Sequence, residues 1–321
     1  MRLFVYEHIT GGGLLGARLP PALLREGEAM LHALLDDLVQ IDALEISILR
    51  DFRLPTSPHG VTVRTPHSAT EFAPMFDACL AAADAVWPIA PESGGTLEAL
   101  SRRIQDSGKR LLGSSPDAVH IASSKIATAR ILASAGIPAV PTHYSVNGLE
   151  CYRGPVVVKP DDGAGCQQTY YFDDASAAKQ WLEARSESGC VVQPYLPGTA
   201  LSLSLLCRSG HARVLSCNRQ RVAVREGMFH FDGTETGAGG DGAAYRGLAD
   251  AIAHALPGLW GYVGVDFIAS KQGPVVLEIN PRLTTSYAGL GQAAGVNPAR
   301  LVLGLADPMR FGEAALGYAH A

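Results

Sequence analysis

Acidic residues interrupt two apolar segments near the C-terminal end of the chain. Residues 261–268 and 275–282 have the composition of β-strands, yet they carry Asp266 and Glu278. Residues 270–274, Ser-Lys-Gln-Gly-Pro, have turn composition, so the two segments are predicted to form a β-hairpin. With the turn centred on Gln272, the two acids face each other. Because facing like charges destabilise a hairpin, this arrangement predicts a bound cation.

The alternation of side chains along a strand extends this acidic face. Asn280 falls on the same face as Glu278, so three oxygen ligands converge. Such a set suits a hard cation that also holds phosphates, Mg²⁺ or alternatively Mn²⁺. Arg282 continues the face beyond Asn280. The alternative is a solvated hairpin with an acidic polar face, which the many apolar residues in both strands disfavour.

Two lysines precede the hairpin in the sequence. Lys159 ends an apolar strand-like run, and Gly163 and Gly165 follow it. Glycines let successive backbone N–H groups turn toward an anion, and a lysine at a strand end adds positive charge for a phosphate. Lys125 lies in a helical segment, where a solvated lysine is the ordinary alternative. Together with the acidic hairpin, the two cations indicate phosphoryl transfer, which depends on positioning and on neutralising charge.

Composition indicates a soluble metabolic enzyme. With 321 residues, 47% of them apolar, the chain is long enough for two or three domains with a large core. The net charge of -5 argues against nucleic acid as a partner. The N-terminus reads as a first strand and no apolar run is long enough to span a membrane, so no membrane association is expected. The scattered cysteines favour reduced thiols in a cytoplasm. A homodimer is compatible with the sequence.

The predicted elements indicate an α/β part followed by an α+β part. Strands and helices alternate up to residue 112, which is typical of a parallel sheet wrapped by helices. A break follows at residues 113–116, and strands dominate the remainder, which indicates an α+β structure with two lobes. The predicted strands are 3–9, 45–50, 85–89, 110–112, 155–159, 168–172, 191–195, 201–207 and 213–218, and the predicted helices are 21–41, 71–83, 96–107, 117–135, 175–187 and 243–256.

The order of these motifs resembles the ATP-grasp superfamily. A helix lysine, a strand lysine with a glycine-rich loop, a short segment at residues 191–198 and a final Asp followed by Glu-x-Asn-x-Arg occur in that order. The resemblance covers about residues 114–311, and the preceding part looks like the pre-ATP-grasp domain. It implies three regions: an N-terminal α/β pre-ATP-grasp domain at 1–113, an ATP-grasp lid lobe at 114–190, and an ATP-grasp C-terminal lobe that carries the metal site at 191–321.

The resemblance also implies roles for individual residues, with ATP and Mg²⁺ as cofactors. Arg282 would steady the acyl phosphate or its carboxylate precursor. The hinge between the lobes, at residues 193–200, contains no acid for the ribose hydroxyls. No ribose contact is therefore assigned. The other implied positions are Lys125 and Lys159 for the phosphates, Gly163 and Gly165 for the loop that closes over them, Gln193, Tyr195 and Leu196 for adenine, and Asp266, Glu278 and Asn280 for the metal.

Within the superfamily, both ends of the chain resemble the tyramine-glutamate ligase group, which acts in the biosynthesis of methanofuran-type one-carbon carriers. The resemblance implies a carboxylate-amine ligase that joins L-glutamate to tyramine through an acyl phosphate, with a small-molecule amino acid and amine as its partners. D-alanine-D-alanine ligases usually carry an arginine two residues before the hairpin Asp, where this chain has Gly264. The substrate candidates are Glu7, Arg219, Arg282, Ser286 and Tyr287.

Other functions remain as alternatives. Another ATP-grasp amino-acid or peptide ligase would share the same motifs, and so would a non-catalytic nucleotide sensor. Residues 11–16 match the G-x-G-x-x-G pattern of dinucleotide-binding oxidoreductases. However, prolines delay the helix that should follow these glycines, and the expected second strand with its terminal acid is missing.

Overall fold

A computed structural model describes residues 1–56, 60–149, 152–163, 165–185 and 189–314. These residues form a five-stranded and an eight-stranded sheet. The pairing is parallel throughout the first sheet and antiparallel throughout the second. This confirms the predicted fold class.

The parallel sheet has the strand order β3-β2-β1-β4-β5. Its strands end at the edge that faces the second sheet's hairpin, where polar residues follow β1 and β4. Its elements are β1 (Arg2–Glu7), α1 (Pro21–Leu38), β2 (Glu45–Leu49), β3 (Thr62–Arg64), α2 (Ala69–Ala82), β4 (Ala85–Ile89), α3 (Thr96–Asp106) and β5 (Arg110–Leu111).

The antiparallel sheet has the strand order β13-β12-β9-β10-β11-β7-β6-β8. Its elements are α4 (Pro116–Ser123), α5 (Lys125–Ser134), β6 (Val156–Pro160), β7 (Tyr170–Phe172), α6 (Ala175–Arg185), β8 (Cys190–Pro194), β9 (Thr199–Arg208), β10 (His211–Arg225), β11 (Met228–Glu235), α7 (Arg246–Ala255), β12 (Gly261–Ser270) and β13 (Gly273–Asn280). Three helices follow: α8 (Leu290–Ala294), α9 (Pro298–Ala306) and α10 (Pro308–Phe311).

Apolar cores pack the helices against the two sheets. One lies between α1, α9 and the parallel sheet and extends to Leu206 of β9 and Tyr262 of β12, and another lies between β9, β12 and the helices α4, α5 and α7. A smaller core packs α6 on β6 and β8. Because β8 is paired with β6, residues 190–194 belong to the same end of the sheet as the predicted lid. The boundaries 1–113, 114–190 and 191–321 stay a prediction.

The predicted single helix over residues 117–135 is wrong. Ser124 has an extended backbone, with φ -103° and ψ 117°, and it separates α4 from α5. Its hydroxyl accepts a hydrogen bond from the Ala127 N–H, so it caps the second helix. The break places Lys125 in the first turn of α5 instead of the middle of a long helix.

Several other elements differ from the sequence prediction. β10 continues to Arg225, beyond the predicted end at residue 218, and β3, β11 and the last three helices were not predicted. The final residues of the helix predicted at 175–187 lie outside the described part of the chain. Residues 11–16 form turns, and α1 begins only at Pro21, so the glycines do not open a helix as a dinucleotide motif requires.

The hairpin of β12 and β13 brings the two acids together by an unexpected route. Its turn contains two residues, Lys271 and Gln272, and is not centred on Gln272 as predicted. That turn alone would place Asp266 opposite Leu277. A register shift next to Asp266 makes Leu277 the extra residue of a β-bulge, so Asp266 faces Glu278. The predicted pairing is confirmed.

The described cysteines and helices bear on two further expectations. Five cysteines are free, and Cys151 lies outside the described residues. No helix in the described ranges is both long and apolar enough to cross a membrane.

A core substitution tests the central position of β9. Leu203 is fully buried on this strand, which pairs with β10 on one side and β12 on the other. We expect Leu203→Ala to lower the free energy of unfolding by about 2–5 kcal/mol in urea denaturation. The control is Met309→Ala, whose side chain is 97% exposed. Similar stability of the two variants would contradict the placement of Leu203.

Candidate active site

The centre of the candidate site is the pair Asp266 and Glu278, which are directly opposed on β12 and β13. Gln220 Nε2 donates a hydrogen bond to Asp266 Oδ1 at 2.9 Å. Asn280 Nδ2 donates to Asp266 Oδ2 at 3.4 Å. One amide from the adjacent strand β13 and one from β10, two strands away, therefore fix the orientation of the Asp266 carboxyl.

The two acids have opposite pKa shifts. Burial raises the pKa of Asp266 well above its usual range, and the nearby charge of Glu278 raises it further. Burial also acts to raise the pKa of Glu278, but the charges of Lys125 and Lys159 outweigh it and leave that pKa lowered. In the absence of a bound cation, Glu278 is thus the ionised member of the pair, and Asp266 is the member that tends to keep its proton.

Lys125 reaches the acid pair from the start of α5. Its buried Nζ lies 3.6 Å from Glu278 Oε2 and donates to the Gly163 carbonyl at 2.6 Å. The carboxylate of Asp161 accepts hydrogen bonds from the Ser124 hydroxyl at 2.7 Å and the Ile126 N–H at 2.9 Å. These contacts tie the first turn of α5 to the glycine-rich loop after β6.

Lys159 lies at the end of β6 on the same cavity. Burial lowers its pKa to about 8, an effect that the negative charge of Glu278 partly opposes. The side chain is therefore a cation that is easily discharged at mildly alkaline pH. An anion bound in the cavity would favour the protonated, charged form of Lys159.

Residues of the glycine-rich loop line the same cavity as Lys159. Gly165 and Cys166 both adopt left-handed backbone conformations, with φ of 64° and 59°. The left-handed conformation suits glycine, and it is uncommon for cysteine. Gly163 and Gly165 both line the cavity, whereas Ala164 between them lies outside the described residues.

Two adjoining cavities meet at the acid pair. The larger one, about 460 Å³, contains the predicted lysines, loop glycines and hinge residues. The smaller one, about 100 Å³, lies on the side of the parallel-sheet domain. The larger cavity is lined among others by Lys125, Lys159, Gly163, Gly165, Gln193, Tyr195 and Leu196, and the smaller by Asn280, Arg282 and Ser286, while Asp266 and Glu278 line both.

Arg282 is fixed by the parallel-sheet domain. Its Nη2 donates to Glu92 Oε2 at 2.7 Å, and both side chains are buried. Its Nη1 donates to the Leu283 carbonyl at 2.9 Å. Within the described residues, Arg282 Nε and Glu92 Oε1 have no hydrogen-bond partner. This buried pair keeps unused donor and acceptor capacity beside the smaller cavity.

Three substrate candidates are not brought to the cavities. Glu7 is buried, and its carboxylate accepts from the Thr10 N–H at 2.6 Å. Tyr287 is buried and donates to Asp37 Oδ2 at 2.8 Å. Arg219 is exposed and alternates with Gln220, so it points away from the acid pair. None of the three is among the residues that line either cavity.

Sequence reasoning missed two residues of the site. Gln220 lies beyond the predicted end of β10 at residue 218. Had the strand been extended, alternation would have placed Gln220 on an inward face. Glu26 on α1 also lines the smaller cavity, and nothing in the helical pattern distinguishes it from a solvated acid.

The donor set suits a metal ion that is also held by a substrate. No cluster of three or more His, Cys, Asp or Glu residues that could hold a metal occurs in the described ranges. The set here is instead two buried carboxylates with one amide. Mg²⁺ commonly binds through one or two carboxylates together with phosphate oxygens. The residues therefore fit such an ion.

Comparisons with protein families match most of the chain. The model of the ATP-grasp domain matches residues 122–286, and that of the pre ATP-grasp 3 domain matches residues 44–119. The first match contains both candidate acids and both lysines.

Individual relatives agree with the family models. The chain is 26% identical over 278 residues to tyramine–L-glutamate ligase of Methanocaldococcus jannaschii, covering 84% of this chain and 79% of the relative. It is 28% identical over 249 residues to D-alanine–D-alanine ligase of Mycolicibacterium vanbaalenii, covering 68% and 67%.

A solved structure supports the fold. An ATP-grasp superfamily protein from Archaeoglobus fulgidus superimposes with a TM-score of 0.72 at 23% identity, covering 95% of this chain and 88% of that one. The family matches, the relatives and the geometry agree. The chain belongs to the ATP-grasp family and is a carboxylate-amine ligase that forms carbon–nitrogen bonds.

Proposed function

We propose that this ligase joins the γ-carboxylate of L-glutamate to the amine of tyramine or a close phenolic amine, using ATP. The product would be γ-glutamyltyramine, an intermediate for a methanofuran-type one-carbon carrier. The observation that carries the proposal is the meeting of two cavities at one acid pair. One cavity suits a nucleotide, and the other suits the small molecules that react with it. The similarity to tyramine–L-glutamate ligase, over 84% of the chain, supports the choice of substrates.

The larger cavity is proposed as the ATP site. Lys125 and Lys159 would bind phosphates, and Gly163 and Gly165 would cover them. The pKa of Lys159 is lowered by burial to about 8, so the side chain is only partly protonated near that pH. A phosphate bound beside it would favour the protonated, charged form. The adenine would lie against the segment of Gln193, Tyr195 and Leu196, which lines the far part of the same cavity.

Asp266, Glu278 and Asn280 are proposed as the residues that hold Mg²⁺ or Mn²⁺. The ion supplies neutralisation of phosphate charge when it is bound. A cation would also relieve the repulsion that raises the pKa of Asp266. Gln220, which is bonded to Asp266, would keep its carboxyl oriented.

The proposed reaction has two steps. A carboxylate oxygen of the acid substrate attacks the γ-phosphorus of ATP, giving an acyl phosphate and ADP. The neutral amine nitrogen then attacks the acyl carbon, phosphate leaves, and the nitrogen loses a proton as the amide forms. The side chains of Lys159 and Arg282 would align the reacting groups and stabilise their negative charge. Glu92 holds Arg282 in place for this role.

The D-alanine–D-alanine alternative is less well supported at the hairpin. Those ligases usually carry an arginine at the position of Gly264. A Cβ added at Gly264 would lie 2.7 Å from Thr284 Cγ2, so a side chain there would require Thr284 to move. A nucleotide sensor without catalysis is disfavoured because the second cavity and Arg282 would have no purpose.

The acid pair can be tested by two matched substitutions. We expect Asp266→Asn and Glu278→Gln each to abolish ligation, because either removes a proposed metal ligand. With EDTA present, the two substitutions should change the free energy of unfolding in opposite directions. Asp266→Asn removes a carboxyl whose folded pKa is raised, so it should be more stable than the unmodified protein at neutral pH, and the difference should vanish below about pH 4.

Glu278→Gln should be less stable than the unmodified protein at neutral pH. The folded pKa of Glu278 is lowered, so its stabilisation is present above its unfolded pKa of about 4.3 and is lost as the pH falls. Thermal unfolding measured across pH checks both signs. Near-normal turnover in either variant would contradict the metal assignment.

Lys159 can be tested through nucleotide affinity. Lys159→Ala should weaken ATP binding on the order of tenfold or more, because a charged contact to phosphate is lost. In the unmodified protein, affinity should fall as the pH rises through about 8, and this dependence should be missing from the variant. Lys179→Ala, on the exposed face of α6, is the control. Calorimetry showing unchanged ATP affinity in Lys159→Ala would refute the phosphate role.

The substrates can be tested by product analysis. The protein incubated with ATP, Mg²⁺, L-glutamate and tyramine should release ADP and form an amide with the mass of γ-glutamyltyramine. Fragmentation distinguishes the γ-amide from the α-amide. ADP release with a different acid and amine, but not with this pair or its near analogues, would leave the ligase class intact and refute the substrates.

A further inference from the structure

Glu26 lies on α1 and lines the smaller cavity beside Arg282. A Cβ built on Gly165 would lie 3.5 Å from Glu26 Oε1. The carboxyl of Glu26 therefore lies against Gly165 of the glycine-rich loop, beside the place proposed for the phosphates and the acyl phosphate. It lines the same cavity as Asp266 and Glu278.

The cations around Glu26 are already engaged by other acids. Arg282 donates to Glu92, and Lys125 lies 3.6 Å from Glu278. Within the described ranges, no hydrogen bond or ion pair is formed by the Glu26 carboxyl. Burial raises its pKa, and the charges of Arg282 and Arg25 offset this only in part. A half-buried carboxylate in this position favours a cationic ligand.

We propose that Glu26 is the acceptor-amine subsite, at which its carboxylate binds the ammonium group of the primary amine substrate. This inference rests on the ligase function proposed above. The amine nitrogen must approach the acyl carbon next to the phosphate, and the Glu26 carboxyl faces the loop at that point. The α-ammonium of a γ-reacting amino acid lies farther away, because the carbon chain of the amino acid separates it from the reacting carbon.

The test separates amine binding from formation of the acyl phosphate. Hydroxylamine is a largely neutral nucleophile at neutral pH, and it traps an acyl phosphate as a hydroxamate. Glu26→Gln keeps the shape of the side chain and removes its charge. We expect the KM for the amine to rise on the order of tenfold to a hundredfold, because a charge-assisted hydrogen bond is lost. The KM values for ATP and for the acid, and hydroxamate formation, should be unchanged.

Two further variants sharpen the result. Glu26→Asp keeps the charge on a shorter side chain and should recover part of the amine affinity. Asp36→Asn removes an exposed carboxylate from the same helix and should leave all KM values unchanged. Thermal unfolding checks that Glu26→Gln is folded, and if it is not, the comparison is made with Glu26→Asp alone, which should still raise the KM for the amine selectively.

The outcomes that overturn the inference are distinct from failure of the ligase proposal. An unchanged KM for the amine in Glu26→Gln, a rise in the KM for the acid instead, or an equal loss of hydroxamate formation would each overturn the role of Glu26. The proposed function itself fails if the unmodified protein, given ATP, Mg²⁺ and hydroxylamine, yields neither ADP nor hydroxamate with glutamate or any other amino acid.

Discussion

The repulsion between Asp266 and Glu278 is the constraint on which the site depends. The β-bulge at Leu277 places these acids face to face inside the sheet, where neither can be fully solvated. Burial raises the pKa of Asp266 and the charge of Glu278 raises it further, whereas the charges of Lys125 and Lys159 lower the pKa of Glu278. The proposed cation would neutralise this acid pair, and the flanking lysines are the residues proposed for the phosphates. A single β-bulge in the hairpin therefore brings together the charges for which we propose the cation and the phosphates.

Different parts of the chain line the site, and polar contacts connect these parts. Glu92, at the end of β4, binds Arg282 after β13. The N–H of Gly94 donates to Asp162 of the glycine-rich loop at 3.0 Å. The segment after β4 therefore contacts both the arginine and the loop. The parallel-sheet domain thus contacts the site although it supplies no proposed ligand for ATP or metal.

Sequence patterns predicted the centre of the site better than its edges. Facing acids in apolar strands, and a lysine before glycines, are signals that residue types carry directly. The pairing was predicted correctly although the turn and the bulge were not, because their two errors of register cancel. Arg219 and Gln220 lie beyond the predicted end of β10 at residue 218, so strand alternation could not distinguish them. Glu26 and the break at Ser124 depend on packing between distant segments, which local periodicity does not report.

The central claim is that the acid pair and the two lysines form one site for a metal ion and the phosphates of ATP. The most direct measurement is a crystal structure with Mn²⁺ and a non-hydrolysable ATP analogue, in which anomalous scattering locates the metal. We expect the metal peak between the carboxylates of Asp266 and Glu278, with phosphate oxygens reaching Lys159. A metal peak away from both acids, or a nucleotide outside the larger cavity, would contradict the assignment.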